Sequence, residues 1–260
     1  MDTVVKQLLQ VLIVKKIKMT LIKSISGIRG TLENIPGESL SDYDVKQFTL
    51  AYYSEIISNK LKQVVFVGRD ARKSGKHISK IVSDTLVKNG CDVIDVGLVT
   101  TPTLGICTKK MNASGGIMIS ASHNDEKWNA LKLLDNNGEF LSPEKVSLII
   151  EEKERKIKKS DTPGKVREYY NALRDHINLV SSQALVSLDK ISEKKFKIAV
   201  DGIKDICSRV LNTSFQFLIL EFSNFQNSSK ILEHPPRMTS RHRPNHPRSI
   251  PKTITFRMLL

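Results

Sequence analysis

The sequence predicts an α/β protein in which a layered, mostly parallel sheet is flanked by helices. Two observations lead to this prediction. Short apolar segments of strand character alternate with segments of helical spacing through residues 19–160. Polar loops rich in glycine, arginine or serine follow three of the strand-like segments. Because ligands of such sheets usually bind at the carboxyl ends of the strands, we expect the functional residues in these loops.

The first predicted elements are a strand and an amphipathic helix. The segment TLIKSI, residues 20–25, has strand character. Ser41 and Asp42 are typical of a helix N-terminus. The apolar residues after them recur at helical spacing and are Val45, Phe48, Tyr52 and Ile56.

The next pair is a buried strand, QVVFVG at residues 63–68, and a helix that begins at Ser74. Gly90 stands where a glycine commonly ends a helix. Apolar residues mark the buried face of this helix and are Ile78, Ile81, Val82 and Leu86.

Five further elements complete the first domain. CDVIDVG (91–97) and GGIMIS (115–120) read as strands, with a short helix, TPTLGICTKKM (101–111), between them. ALKLLDNNGEFLS (130–142) reads as a strand with an Asn-Asn-Gly turn. A helix from about Pro143 to Lys159 follows.

The chain is expected to have four segments. Residues 1–18 read as an N-terminal extension, because their apolar patch has no small-residue cleavage site after it. Residues 19–160 form the first domain. Residues 161–203 begin an incomplete second α/β domain, with a helix at 169–180 and a strand at 196–202.

The fourth segment, residues 204–260, is atypical. Five of the nine prolines lie between Pro235 and Pro251, and the stretch around them shows neither helical nor strand periodicity. One interpretation is a disordered basic tail. The other is a sequence with which this fold did not evolve, for instance after a frameshift.

The formal net charge of +14 does not indicate a nucleic-acid protein. Residues 204–260 hold nine Lys or Arg against three Asp or Glu, so +6 of the charge lies there. Much of the rest alternates in sign, as in EEKERKIKK at 151–159, which is typical of a solvated surface. No stripe of interleaved aromatic and basic residues follows a strand or helix.

The cysteines and the hydropathy favour the cytoplasm. Cys91, Cys107 and Cys207 are odd in number and widely spaced, which suits neither a disulfide framework nor a zinc site. No apolar run reaches the roughly 18 residues that cross a membrane. Nothing in the sequence indicates an oligomeric state.

Three polar loops carry residue types that bind or transfer phosphate. Arg29 lies between Gly27 and Gly30, which could let the backbone approach an anion while the guanidinium binds it. Arg69 belongs to a second such loop, VGRDARKSG at 67–75. The third loop is SASHND at 120–125, which holds a serine beside a histidine at a strand end.

The segments SISGIRG, VGRDARKSG and GGIMISASHNDEKWNALKLLDNNG resemble the first domain of the α-D-phosphohexomutase superfamily. The order and spacing of all three motifs agree over about residues 19–202. The bacterial phosphoglucosamine mutase and phosphomannomutase branch is the most similar in character. Such enzymes interconvert hexose 1-phosphates and 6-phosphates through a hexose 1,6-bisphosphate.

The resemblance implies roles for particular residues. Ser122 would carry the phosphoryl group, and His123 and Lys132 would be the proton-transfer candidates. Arg29 would supply cationic stabilisation together with Lys132. The residues expected to bind substrate or phosphate are Gly27, Gly30, Arg69 and Asn124.

The resemblance also implies a Mg²⁺ ion beside phosphorylated Ser122. The family's D-x-D-x-D-R loop does not occur in this sequence. Asp42-Tyr43-Asp44 is the one D-x-D string and reads as a helix cap. Asp125 replaces the family's proline and Ala130 its glycine, and both are local changes.

These features leave two main hypotheses. The first is a phosphohexomutase present as its first domain and part of its second, truncated and expected to lack turnover by itself. The alternative is a non-catalytic module that holds a sugar phosphate or a partner at the Arg29 and Ser122 loops. Recruitment to nucleic acid or an anionic membrane by residues 204–260 is a third, weaker hypothesis.

Overall fold

The computed structural model of the chain describes residues 19–151 and 160–194, together with the backbone of three strands at 197–201, 222–224 and 253–257. The expected extension at residues 1–18 and most of the segment at 204–260 lie outside these residues. The chain divides into two units, the first ending at Leu173 and the second beginning at Arg174.

Seven strands form one sheet in the first unit. They are β1 (Ile22–Ser24), β2 (Gly27–Thr31), β3 (Val64–Arg69), β4 (Asp92–Leu98), β5 (Gly115–Ile119), β6 (Trp128–Leu134) and β7 (Val166–Glu168). Their order in the sheet is β1-β2-β6-β5-β3-β4-β7. β3, β4, β5 and β7 pair in parallel, and β6, β2 and β1 continue the sheet with antiparallel pairs. Five of the seven strands therefore run in one direction, which confirms the α/β prediction.

The helices of the first unit follow the predicted order. They are α1 (Asp42–Tyr52), which continues as a π-helical turn at Tyr53–Ile57, α2 (Gly75–Lys88), α3 (Thr101–Lys110) and α4 (Pro143–Ile150). α2 ends at Asn89, and Gly90 has a φ of 87°, as predicted for a helix terminator. The side chain of Thr100 accepts a hydrogen bond from Thr103 N and caps α3.

The prediction for the first polar loop is wrong in its structure. SISGIRG forms the turn and second strand of a β-hairpin, with Ile22 opposite Arg29 in the register. β2 also pairs with β6, so Arg29 lies inside the sheet. Gly27 has a φ of 132°, a conformation that side chains rarely adopt, and this glycine ends the turn.

The predicted helix after Pro143 is too long. α4 ends at Ile150, since Glu151 has a ψ of 131° and leaves the helical conformation. Residues 152–159 lie outside the described residues. Beyond them, β7 joins the edge of the first sheet beside β4, and the first contact unit ends at Leu173, so the predicted domain boundary near residue 161 stays a prediction.

Two apolar clusters cover the faces of the sheet. On one face, Val65, Val67, Ile117 and Leu131 pack in a cluster with residues of α1, α2 and α4. On the other face, Phe66 and Met118 pack with Leu104 and Cys107 of α3. Packing on both faces of the sheet fixes the positions of the strand ends at which the polar loops begin.

The second unit holds most of α5 (Ala172–Ser181), α6 (Leu188–Glu193) and a small sheet. Its strands are β8 (Lys197–Asp201), β9 (Phe222–Asn224) and β10 (Thr253–Arg257), which pair in parallel in the order β10-β8-β9. The predicted helix and strand of this unit are confirmed. β9 and β10 lie within residues 204–260, and the origin of that segment stays a prediction.

Candidate functional site

The candidate site lies at the carboxyl ends of β3 and β5. The loop after β5 runs from Ser120 to Lys127, and its first amide donates to Ala130 O on β6 at 3.0 Å. The loop after β3 begins at Asp70, whose amide donates to Ile119 O at 3.0 Å. The second and third predicted loops therefore lie side by side, as the parallel pairing of β3 and β5 requires.

Ser122 has an unusual backbone conformation. Its φ is 56°, which is sparsely populated for a residue other than glycine, asparagine or aspartate. Its amide donates to Ser120 Oγ at 3.2 Å, and its own Oγ lies 3.5 Å from His123 Nδ1. Ser122 is half-buried and His123 is exposed, so the hydroxyl lies where a ligand could reach it.

Arg72 binds the backbone of the serine loop. Its Nη2 donates to Ser122 O at 2.8 Å and to Asn124 O at 2.6 Å, and its Nη1 donates to Asp125 O at 2.6 Å and to Trp128 O at 3.2 Å. Arg72 was not among the predicted site residues. It is the second arginine of the VGRDARKSG motif, and that repeated arginine was the feature of the sequence that could have identified it.

Arg69 is the last residue of β3. Its side chain carbons lie near Gly75 at the start of α2, and its Nη1 is 3.4 Å from Asp70 O. It lines a cavity of about 410 Å³ together with residues of α2, β4 and β7 such as Lys76, Asp95 and Glu168. No contact described for residues 19–151 joins Arg69 to the serine loop, so its role in phosphate binding stays a prediction.

Arg29 and Lys132 share one face of the sheet. Arg29 pairs with Ala130 across β2 and β6, and Lys132 lies two residues further along β6. Ile28 and Leu131, which alternate with them, face the core on the other side. Arg29 Nε is buried without a hydrogen-bond partner among the described residues. This unsatisfied donor lies at the position where the sequence predicted an anion-binding cation.

Gly27 and Gly30 have a packing role in this structure. A Cβ on Gly27 would lie 2.6 Å from Leu131 O, and one on Gly30 would lie 2.7 Å from Leu40 N. Both glycines therefore let β2 pack closely against neighbouring backbone. Their expected part in phosphate binding has no support from a contact and stays a prediction.

Lys132 is half-buried in the sheet. Burial lowers the pKa of its ammonium group, and the nearby Asp70 carboxylate opposes that shift. Its Nζ lies 3.4 Å from Thr101 Oγ1 in the first turn of α3. A lysine whose pKa is lowered can exchange a proton more readily near neutral pH than an exposed one.

Asp70 interacts with two cations of the site, Arg72 and Lys132. It is buried, its Oδ1 accepts from Arg72 N at 3.0 Å, and its Oδ2 accepts from Arg72 Nε at 3.2 Å. The same carboxylate stabilises the charged form of Lys132. One buried anion thus supports the arginine that binds the serine loop and the lysine on the neighbouring strand.

Asn129 ties the end of the loop to α2. Its Nδ2 donates to Ser74 Oγ at 2.9 Å, and its Oδ1 accepts from Ala130 N at 2.8 Å. Asn124, which was predicted to bind phosphate, contributes its carbonyl to Arg72 and its amide to Ala121 O. The described contacts of Asn124 hold the loop, and its side chain role stays a prediction.

The described residues do not by themselves fit a magnesium ion. Within residues 19–151 and 160–194, no group of three His, Cys, Asp or Glu side chains is arranged to hold a metal. Asp42 pairs with His77, and Asp44 caps α1, so the Asp-Tyr-Asp string stabilises the start of the helix.

No helix among the described residues has the length and hydropathy to span a bilayer.

Comparison with known proteins gives consistent matches. Residues 21–160 match the family model described as phosphoglucomutase/phosphomannomutase, alpha/beta/alpha domain I. The phosphoglucosamine mutase of Methanococcus vannielii is 35% identical over 148 residues, covering 56% of this chain and 31% of that protein. The phosphoglucosamine mutase of Prochlorococcus marinus strain AS9601 is 29% identical over 193 residues, covering 71% and 42%.

Solved structures share the fold. A putative phosphomannomutase from Thermus thermophilus aligns with a TM-score of 0.62 at 20% identity, covering 78% of this chain and 45% of that one. A phosphoglucomutase/phosphomannomutase family protein from Burkholderia thailandensis aligns with a TM-score of 0.57 at 19% identity, covering 80% and 43%. The chain spans less than half the length of these relatives.

Proposed function

Because the chain belongs to the phosphoglucomutase/phosphomannomutase family, we propose that its first unit carries the phosphoryl-accepting serine of a hexose-phosphate mutase site. The observation that carries the proposal is the state of Ser122. It lies in a left-handed conformation on a loop at the carboxyl edge of the sheet, where the residue is only half-buried while Arg72 binds its carbonyl oxygen. A nucleophile on such a loop is accessible to a ligand while its backbone stays fixed.

The chemistry of this serine is a phosphoryl transfer in both directions. In one direction the bond between phosphorus and Ser122 Oγ breaks, and a hydroxyl of the hexose phosphate takes the phosphoryl group and loses its proton. The resulting bisphosphate then returns its other phosphoryl group to Ser122 Oγ, which releases a hexose phosphate. His123 and Lys132 are the candidates for moving the proton, since one lies beside the hydroxyl and the other has a lowered pKa.

Positioning and charge neutralisation supply most of the catalysis in such transfers. Arg29 and Lys132 share a face of the sheet. The unsatisfied Nε of Arg29 gives this face a donor that an anion could satisfy. We assign Arg29 and Lys132 to neutralising the negative charge on the phosphoryl group during its transfer. No group of side chains among the described residues is arranged to hold the Mg²⁺ ion that the resemblance implies, so that ion stays a prediction.

The proposed ligands are a hexose phosphate and a hexose 1,6-bisphosphate. Several similar proteins are named phosphoglucosamine mutase, which favours glucosamine phosphates over mannose or glucose phosphates. The chain spans less than half of those proteins, so the proposal for the chain itself is limited to two steps, the acceptance of a phosphoryl group by Ser122 and its return to a hexose phosphate. Complete interconversion is proposed only for an assembled site.

Intact-mass spectrometry of the purified chain tests this proposal. After incubation with glucosamine 1,6-bisphosphate we expect the mass to rise by one phosphoryl group, and peptide mapping to place that group on Ser122. Ser122→Ala should abolish the increase. Ser26→Ala, which removes another exposed serine hydroxyl from the same unit, should leave it unchanged.

A negative result has a definite meaning. If the wild-type chain gains no phosphoryl group under conditions in which a full-length relative does, phosphoryl acceptance by this chain is refuted. Micromolar binding of glucosamine 6-phosphate by calorimetry in that case would favour the alternative of a non-catalytic binding module.

A further inference from the structure

The guanidinium of Arg72 has a partner for every one of its N–H groups. A guanidinium offers five donors in a planar fork. Four of them reach the carbonyl oxygens of Ser122, Asn124, Asp125 and Trp128, at 2.6 to 3.2 Å. The fifth, Nε–H, donates to Asp70 Oδ2 at 3.2 Å. The side chain is only 12% exposed, so these bonds are largely shielded from water.

In this arrangement the Arg72 guanidinium acts as a template, because its bonds to residues 122–128 determine the conformation of the serine loop. Four carbonyl dipoles from a seven-residue segment point at one charged group, and each bond is strengthened by that charge. Asp70 fixes the arginine in turn, because it accepts from both the backbone amide and the Nε of Arg72. An ammonium group offers three donors without a planar geometry, so a lysine could not reproduce the set.

The backbone of Ser122 is held at both its carbonyl group and its amide group. Arg72 binds its carbonyl oxygen, and Ser120 Oγ accepts from its amide. These two bonds hold the peptide groups on either side of a residue with a φ of 56°. Such a conformation persists only where the surroundings over-determine it. The Ser122 hydroxyl takes no part in these two bonds, and the residue as a whole is half-buried.

We propose that Arg72 is a positioning residue for phosphoryl transfer, which orients the Ser122 hydroxyl by binding the carbonyl groups of its loop. This inference rests on the proposed function of Ser122. Arg72 therefore differs from Arg29, which is assigned to the charge of the ligand. Loss of Arg72 should slow the transfer step and leave ligand affinity largely intact.

The test compares Arg72→Ala and Arg72→Lys with the matched control Lys73→Ala. Lys73 is the next residue of the same loop, carries the same charge, and is exposed. We expect Arg72→Ala to lower the rate constant of phosphoryl incorporation from glucosamine 1,6-bisphosphate by about 100-fold, the scale of a small misplacement of a reacting group. The bisphosphate concentration for half-maximal rate should change by no more than about twofold. Arg72→Lys should lie between, and Lys73→Ala should equal the wild type.

Hydrogen exchange provides a second readout that does not depend on phosphoryl transfer. In Arg72→Ala and Arg72→Lys, the amides of residues 121–128 should exchange on the order of tenfold faster, while those of β3 and β5 keep their protection. Faster exchange throughout the sheet would mark a folding defect in Arg72→Ala, and the milder Arg72→Lys variant then decides the question.

The outcomes separate this inference from the proposed function. If the wild-type chain accepts no phosphoryl group but the loop amides respond as expected, the function fails while the loop template stands. If the wild type accepts phosphate and both variants do so at its rate, Arg72 is not a positioning residue. A large change in the half-maximal bisphosphate concentration at an unchanged rate constant would also overturn the inference, since it would assign Arg72 to ligand binding.

Discussion

At the scale of single residues, the site combines costly features that each need a partner. Lys132 is a partly buried cation, Ser122 has a left-handed backbone, and Arg29 has a buried unsatisfied donor. The Asp70 carboxylate stabilises the charge on Lys132. It also fixes Arg72, which binds the backbone of Ser122. Strain of this kind concentrates at functional sites because the surrounding structure maintains it.

The charge on Lys132 should therefore reduce the stability of the fold. Burial lowers the pKa of Lys132 from 10.5 on folding, so below the folded-state pKa both states are charged and the folded state alone bears the cost of burying that charge. This cost falls as the pH rises through the folded-state pKa and is gone above the unfolded-state value of 10.5. We expect Lys132→Met to raise the free energy of unfolding near neutral pH, by an amount that shrinks at alkaline pH.

Urea denaturation of Lys132→Met at the two pH values measures this effect. Lys127→Met is the matched control, because Lys127 is exposed in the adjoining loop and its replacement should change stability little. A Lys132→Met chain less stable than the wild type near neutral pH would show that the ammonium group stabilises the fold.

The sequence could predict Ser122, Lys132 and Arg29 as candidates because each belongs to a motif that resembles the first domain of the phosphohexomutase superfamily. It could not distinguish Arg69 from Arg72. The two arginines are three residues apart, and their partners depend on where the loop after β3 turns. Arg69 remains on β3, whereas Arg72 lies beyond the turn at Asp70 and reaches the neighbouring loop.

At the scale of elements, the glycines show where sequence reasoning is ambiguous. Gly27 and Gly30 flank an arginine, a pattern that suits either a phosphate-binding loop or a strand packed against other backbone. The structure corresponds to the second of these. β2 forms a hairpin with β1 and pairs with β6, so it is a strand packed against other backbone. Only the tertiary contacts of β2 distinguish the two.

The start of α1 is an element whose stability can be measured directly. Ser41 Oγ accepts from Asp44 N at 3.2 Å, and the Asp44 carboxylate accepts from Ser41 N at 3.3 Å, so the two residues form a capping box. We expect Ser41→Ala to lower the free energy of unfolding by about 1 kcal/mol. Chemical denaturation checks this, with Lys46→Ala on the exposed face of α1 as a control that should stay within about 0.5 kcal/mol. An equal effect of both substitutions would contradict the cap.

The contact between α1 and β5 makes a second element-scale prediction. Tyr52 donates its hydroxyl to Leu134 O at 2.7 Å, and a Cβ on Gly115 would collide with that hydroxyl and lie 2.9 Å from Leu134 O. We expect Gly115→Ala to cost about 1–3 kcal/mol by overpacking. Gly75→Ala is the control, because its Cβ would meet Arg69 Cδ at 3.4 Å, an ordinary contact. Thermal unfolding that ranks Gly75→Ala as the more damaging change would refute this account.

At the scale of the whole molecule, alternation of strands and helices predicted the layers of the first unit correctly. It did not predict the antiparallel half of the sheet or the addition of β7 at its edge. Both depend on pairings between segments far apart in sequence, which local periodicity does not encode. In the second unit the sequence predicted α5 and β8 but not α6, and the other two strands lie in a segment without periodicity.

The buried cysteines offer a probe of the folded first unit. Burial raises the pKa of Cys91 to about 12, and Cys91 and Cys107 are both fully buried. We expect alkylation of Cys91 by iodoacetamide to be at least about a thousandfold slower in the folded chain than in denaturant, since the thiolate is the reacting form. Peptide-resolved mass spectrometry measures this rate, and fast labelling of Cys91 without denaturant would show that the unit opens readily.

The central claim is that Ser122 passes a phosphoryl group to and from hexose phosphates, and label transfer tests it most directly. The chain is first phosphorylated with radiolabelled glucosamine 1,6-bisphosphate, freed of excess reagent, and then mixed with unlabelled glucosamine 6-phosphate. Our account predicts that the label leaves Ser122 and appears in a hexose bisphosphate. Label that stays on the protein or is released only as inorganic phosphate would contradict it.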